Sequence, residues 1–202
     1  IIYYLLLILN PIICTVNYLK KKEPWRGMLA LYLICMLFIQ LIANYYTSRD
    51  IENIIIAHIF HHCHFVMIGL VQSIIVRDRV LSKWIRIIVF SITAFFISYY
   101  ILLPDRLFQH DQIEVFVHHY CIILFALIYI YKNLEGKQEF KILNIGILCY
   151  SFMYIATTLF FRFINDEIFN EAFFTWLIYT VNTIVYHILI LIQLIISIRK
   201  KA

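Results

Sequence analysis

Apolar residues run along this chain in seven long blocks separated by short polar joints. A helix that crosses a membrane needs about 20 apolar residues, because roughly 30 Å of hydrocarbon is traversed at about 1.5 Å per residue. The blocks that reach this length are Ile1 to Leu19, Gly27 to Tyr46, Asn53 to Val76, Ile85 to Leu103, Ile113 to Tyr131, Ile142 to Phe163 and Ala172 to Ile198. The joints hold only a handful of residues, so successive helices are predicted to be antiparallel neighbours. The expected fold is all-α: a single transmembrane domain over residues 1–202, built as a polytopic seven-helix bundle. Pro11 falls inside the first block and should kink that helix near Asn10. Pro104 should end the fourth.

Composition narrows the class. The chain is 63% hydrophobic and 14% charged, with a mean hydropathy of +0.85. A soluble domain needs about a quarter of its residues charged to clothe its surface, so no compact soluble catalytic or nucleic-acid-binding domain fits. The formal net charge of +5 has the same origin as the topology, because the basic residues sit in alternate joints. Lys20, Lys21, Lys22 and Arg26 fill the first joint, Arg77, Arg79, Lys83 and Arg86 surround the third, and Lys132, Lys137 and Lys141 the fifth. Arg199, Lys200 and Lys201 close the chain. The second, fourth and sixth joints carry one Arg each (Arg49, Arg106, Arg162) among Asp50, Glu52, Asp105, Asp111, Asp166, Glu167 and Glu171. The positive-inside rule then predicts an N-terminus outside and a C-terminus in the cytoplasm. The basic edge formed by Arg77, Arg79, Lys83, Arg199, Lys200 and Lys201 suits anionic lipid or a cytoplasmic partner. Tyr45, Tyr46, Tyr99, Tyr100, Trp25, Trp84, Tyr131 and Trp176 lie near block ends, as interfacial aromatic belts do. The five cysteines stand singly in apolar runs with no CxxC pair, and read as small buried hydrophobes.

Chemistry enters with the third block. Four of the eight histidines lie between His58 and His64. Ionisable side chains inside a membrane segment are costly and mark a function or a structural joint. At about 100° per residue, His58, His61 and His62 share a helical face, with His64 at its margin and Cys63 turned away. The fifth block starts from the same side of the membrane. If its helix extends back over the joint, His110, Asp111, Glu114, His118 and Cys121 share one face. The two faces are expected to meet between the third and fifth helices. Gln40 and Asn44 on the second helix, and Tyr179, Asn182 and Tyr186 on the seventh, are expected to complete a polar pocket open to the outside.

Several readings of that pocket stay open. Its residues suit interhelical hydrogen bonds that hold the bundle together. Imidazoles with the Glu114 carboxylate also suit zinc, iron or copper, and a zinc carrying a water can hydrolyse a lipid-borne bond. Haem with His118 and either His61 or His62 as axial ligands is a further candidate. Histidines near a carboxylate also sense protons. For Asn10, Asn17 and Cys14 on the first helix, and Asn144, Ser151 and Thr158 on the sixth, helix packing is the expected role. A transport path is disfavoured, since His187 and Gln193 are the only notable polar groups of the inner half.

The stretch from Asn53 to Val76 and the late segment Trp176 to Leu194, with Tyr179, Asn182 and Tyr186, resemble small heptahelical membrane proteins of Bacteroidota-type bacteria. The resemblance lies in rhythm, Ile/Phe/Tyr-rich composition and placement of polar residues over most of the chain. It implies a bacterial inner-membrane location and, by analogy with heptahelical modules of signalling proteins, a sensor role without catalytic residues. The leading expectation is therefore a non-enzymatic protein whose outward-facing His-rich pocket receives a ligand and whose output runs through a protein partner in the membrane or at its cytoplasmic face. The rival expectations are a metal-dependent membrane hydrolase, a haem protein, and a structural or effector subunit of a larger assembly in secretion, respiration or immunity.

Overall fold

The computed structural model describes residues 2–49, 51–134, 139–163 and 171–199, with side chains described for all of these except 160–163 and 171–176. Among them the chain is helical, without strands: α1 (Ile2–Lys21), α2 (Pro24–Thr47), α3 (Ile54–Ile75), α4 (Arg79–Leu102), α5 (Gln112–Lys132), α6 (Lys141–Phe163) and α7 (Glu171–Arg199), with a 3-10 turn at Pro104–Phe108 between α4 and α5. All seven helices are long and apolar enough to cross a membrane. Ile1, Asp50, Lys137, Asp166, Glu167, Lys200 and Lys201, which entered the topology argument, lie outside the described residues, as do the side chains of Arg162, Glu171 and Trp176.

Local chemistry sets the helix ends. Pro24 occupies the first turn of α2, where its missing N–H is no loss, so the helix starts three residues before the predicted Gly27. α4 starts six residues before Ile85. Asp78 caps it, its Oδ1 accepting from the backbone N–H of Val80 at 3.0 Å and of Leu81 at 3.1 Å, and this outweighs the loop-like look of Arg79 and Lys83. Asp78→Ala is expected to cost about 1 kcal/mol of stability, read as a lower thermal midpoint in detergent. At the other end α4 stops at Leu102, and Pro104 opens the 3-10 turn.

The helices group into two compact units. One comprises residues 11–118 and the other residues 1–10 with 119–202, so the division in α1 falls at the Asn10–Pro11 junction. In the first unit α3 packs against both α2 and α4. The buried stripes follow helical spacing: Leu29, Leu33 and Met36 on α2, Phe65, Ile68, Gln72 and Ile75 on α3, and Ile85, Val89, Phe96 and Tyr100 on α4. Large apolar residues such as Phe90, Phe95, Ile97 and Ile101 stay exposed on α4, as lipid-facing positions do. In the second unit α6 packs against α7. There Gln193 Nε2 donates to the Glu139 carbonyl at 2.9 Å while its Oε1 accepts from the Leu143 N–H at 3.3 Å, answering backbone groups at the start of α6. Asn10 Nδ2 donates to the His187 carbonyl at 2.9 Å. Asn144 and Asn17 each return to a carbonyl one turn back. These polar positions serve packing and helix geometry.

Candidate functional site

A cluster of ionisable side chains forms within residues 11–118, at the end where α3 and α5 begin and α4 finishes. His58 and His62 lie one turn apart on α3, Tyr100 is in the last turn of α4, and Glu114 and His118 are one turn apart on α5. Asp111 places Glu114. Its Oδ1 accepts from the backbone N–H of Ile113 at 2.9 Å and of Glu114 at 3.2 Å, which starts α5 at Gln112 and brings the carboxylate into the first turn.

Glu114 has no solvent exposure and is the hub. Its Oε2 accepts from the Tyr100 hydroxyl at 2.5 Å and pairs with His58 Nδ1. The other His58 nitrogen, Nε2, lies 3.0 Å from the Gln109 carbonyl and must donate, because a carbonyl only accepts. His58 Nδ1 thus faces Glu114 Oε2 and, at 3.2 Å, the Tyr100 hydroxyl. His62 Nδ1 lies 3.1 Å from the His58 carbonyl and 2.7 Å from Glu114 Oε1. Both are acceptors, so Nδ1 carries a hydrogen.

The remaining buried polar atoms lack aligned partners. Buried His62 Nε2 has no hydrogen-bond partner, and Glu114 Oε1 receives no aligned donor, since the His62 N–H serves the His58 carbonyl. His118 is 1% exposed, and neither of its ring nitrogens is hydrogen-bonded; Nδ1 stands 3.8 Å from Glu114 Oε1. Its ring stacks on Phe65 at 4.5 Å and meets Phe96 and His62 edge to face at 5.1 and 4.8 Å. Beside the cluster lies a groove of about 710 Å³ between α3 and α4, with His58, His62 and Tyr100 on its polar side and Cys63, Met67 and Ile97 among its apolar lining.

The other expected residues have local roles. His61 is buried with its ring edge against Phe60. His64 pairs through Nδ1 with the Tyr32 hydroxyl at 2.9 Å and stacks on Phe60. Asn44 accepts from Gln40 within α2. His110 precedes α5 and is exposed, and Asp111 acts as the cap. Tyr179, Asn182 and Tyr186 belong to the unit of residues 1–10 and 119–202 and meet α6. Tyr179 bonds Thr158 at 3.2 Å, Asn182 donates to the Tyr150 carbonyl at 3.0 Å, and Tyr186 stacks on Tyr150. On the basic edge, Arg77 leaves α3 with a φ of 56°, Arg79 opens α4, Lys83 is exposed on it, and Arg199 ends α7.

Tyr100 is the residue that the sequence reading missed. It reads as part of an aromatic belt, yet it is 6% exposed and turned inward onto Glu114. The available signal is the stripe Val89, Phe96, Tyr100 at spacings of seven and four. Gln109 contributes through its backbone carbonyl, which no side-chain pattern reveals.

Seven helices of membrane-crossing length and composition define an integral membrane protein. The chain matches no family model, no curated protein and no solved structure.

Proposed function

We propose that this protein is a ligand-binding sensor module of the bacterial inner membrane, in which the Glu114 cluster forms the polar end of a groove for an amphiphile. One observation carries the reading: a groove of about 710 Å³ that is apolar along most of its lining and bordered at one side by His58, His62 and Tyr100. Ligand sites are of this size, mostly apolar, with a few convergent polar groups. Ile59, Ile97 and Ile101, which line it, are exposed on a membrane-spanning surface, so entry runs laterally from the lipid. The Tyr100 hydroxyl and the His58 and His62 imidazoles at its head favour a ligand with a hydroxyl, which can both donate and accept.

The alternation of basic and acidic joints supports an N-out, C-in arrangement, which puts the cluster toward the outer leaflet. With short connections, output runs through a protein partner that meets the cytoplasmic edge at Arg77, Arg79 and Lys83. A buried carboxylate already bonded to Tyr100 and His58 favours binding over hydrolysis.

A long-chain alcohol bearing a photoactivatable diazirine tests this in nanodiscs. Crosslinks are expected to concentrate in peptides covering residues 59–67 and 93–101, and Ile97→Trp, which fills the groove, is expected to reduce them several-fold. Labelling spread evenly over the lipid-facing surface of all helices and indifferent to Ile97→Trp would refute the reading.

A further inference from the structure

We infer that Glu114, His62 and His118 bind one divalent transition-metal ion. One ring nitrogen from each histidine and one carboxylate oxygen lie within 4.8 Å of one another. Donors about 2.0–2.2 Å from a tetrahedral zinc are spaced by about 3.4 Å, so closure needs an inward movement of up to about 1.4 Å from the 4.8 Å limit. His62 and His118 already touch edge to face, and Glu114 and His118 share one face of α5 a turn apart, so the three side chains already face one another.

The bonding pattern differs from that of a purely structural cluster. Histidines that hold helices together spend their nitrogens on partners. Here buried His118 spends neither, His62 leaves Nε2 open, and Glu114 leaves Oε1 without an aligned donor. Among the described residues, the only N–H near Oε1 is that of His62 Nδ1, 2.7 Å away and bonded to the His58 carbonyl. Each neutral imidazole has one lone pair to offer, a donor set that a cation completes. The opposite side of the carboxylate is arranged as metal ligands usually are: Oε2 is held by Tyr100 and His58, and His58 is anchored in turn on the Gln109 carbonyl. Two imidazoles and one carboxylate suit zinc, iron(II) or cobalt(II) and leave at least one coordination position open. Of the three, His62 also borders the groove. A porphyrin does not fit between His62 and His118, whose ring centroids are 4.8 Å apart.

The inference goes beyond the amphiphile reading and does not depend on it. The test uses protein purified in detergent on a resin without immobilised metal, stripped with EDTA, then titrated with cobalt(II) chloride and zinc chloride. Bound metal is counted by mass spectrometry, and cobalt is read from its visible ligand-field bands. The expected result is about one ion per chain with a four- or five-coordinate cobalt spectrum. Glu114→Gln and His118→Gln should weaken binding more than about tenfold, and Tyr100→Phe, which keeps all three donors, about ten- to a hundredfold. His64→Gln should bind as the parent does. The Tyr100→Phe arm keeps the test decisive if a ligand variant fails to fold. Binding well below one ion per chain, or one ion held equally by His118→Gln, would overturn the site. Diazirine labelling of the groove in the stripped protein, with no metal taken up, removes the ion and leaves the amphiphile reading standing. Stoichiometric metal without groove labelling does the reverse.

Discussion

Glu114→Ala is expected to be the most destabilising single substitution in the cluster, costing about 3–5 kcal/mol. The carboxylate has no solvent exposure, and its Oε2 is the acceptor for both the Tyr100 hydroxyl and His58 Nδ1. Truncation strands both donors and removes the carboxylate oxygen that stands 2.7 Å from His62 Nδ1. Water from the lipid side cannot replace these partners cheaply, since the neighbours are Phe65 and Phe96. For a chain of this length the loss corresponds to a fall in melting midpoint on the order of 10 °C.

A thiol-reactive dye that reports exposure of the five cysteines gives the readout in detergent. The scan is run in EDTA, so that a bound metal ion adds nothing to the native state. Tyr100→Phe removes one hydrogen bond to the carboxylate and should cost about 1.5–3 kcal/mol. Because Tyr100 and His58 share Oε2, the pair Glu114→Ala with Tyr100→Phe should come out less destabilised than the sum of the singles. A Glu114→Ala midpoint indistinguishable from that of the parent would mean that the hub does not organise this end of the protein.

The parts of the site that were legible in the sequence were those tied to helical spacing. His58 with His62, and Glu114 with His118, are each four residues apart on segments that start from the same side, and the structure brings these four together in one unit. Helix rotation was much less legible. In a soluble helix the outward face is polar, and the contrast between faces reports orientation. Here Phe95 and Ile97 point outward while Val89 and Phe96 point inward, and all four are apolar. The contrast is lost because lipid solvates the outer face. Tyr100 therefore looked like an interfacial ring although it faces Glu114. His64, placed at the margin of the histidine face, is 2% exposed through its pairing with Tyr32, a partner 32 residues away that no local pattern identifies. The start of α4 was obscured differently. Arg79 and Lys83 read as a loop, while the deciding interaction, the Asp78 cap, is a backbone hydrogen bond.

Gly69 carries the second large effect, and it concerns how closely α3 and α4 approach. A Cβ at this position would stand 2.4 Å from Val89 Cγ2, closer than real side-chain contacts allow. Val89 has no solvent exposure and is β-branched, so it has no alternative rotamer to swing into. Gly69→Ala must therefore push the helices apart, at about 1–3 kcal/mol, and Gly69→Leu should cost more. Gly146 is the internal comparison. Its Cβ would meet Leu189 Cβ at 3.1 Å, a much milder overlap, so Gly146→Ala should cost less than Gly69→Ala. Shortening the obstacle is the decisive step: Val89→Ala placed on Gly69→Ala should recover much of the loss, with a coupling of about 0.5–3 kcal/mol between the two sites. If Gly69→Ala and Gly146→Ala behave alike, or if Val89→Ala adds to the damage, contact at Gly69 does not set the separation. If the rescue succeeds, it links packing to the site, because α3 carries His58 and His62, α4 carries Tyr100, and the groove runs between them. Gly69→Ala should then also weaken diazirine labelling of residues 93–101, and Val89→Ala in the same chain should restore it.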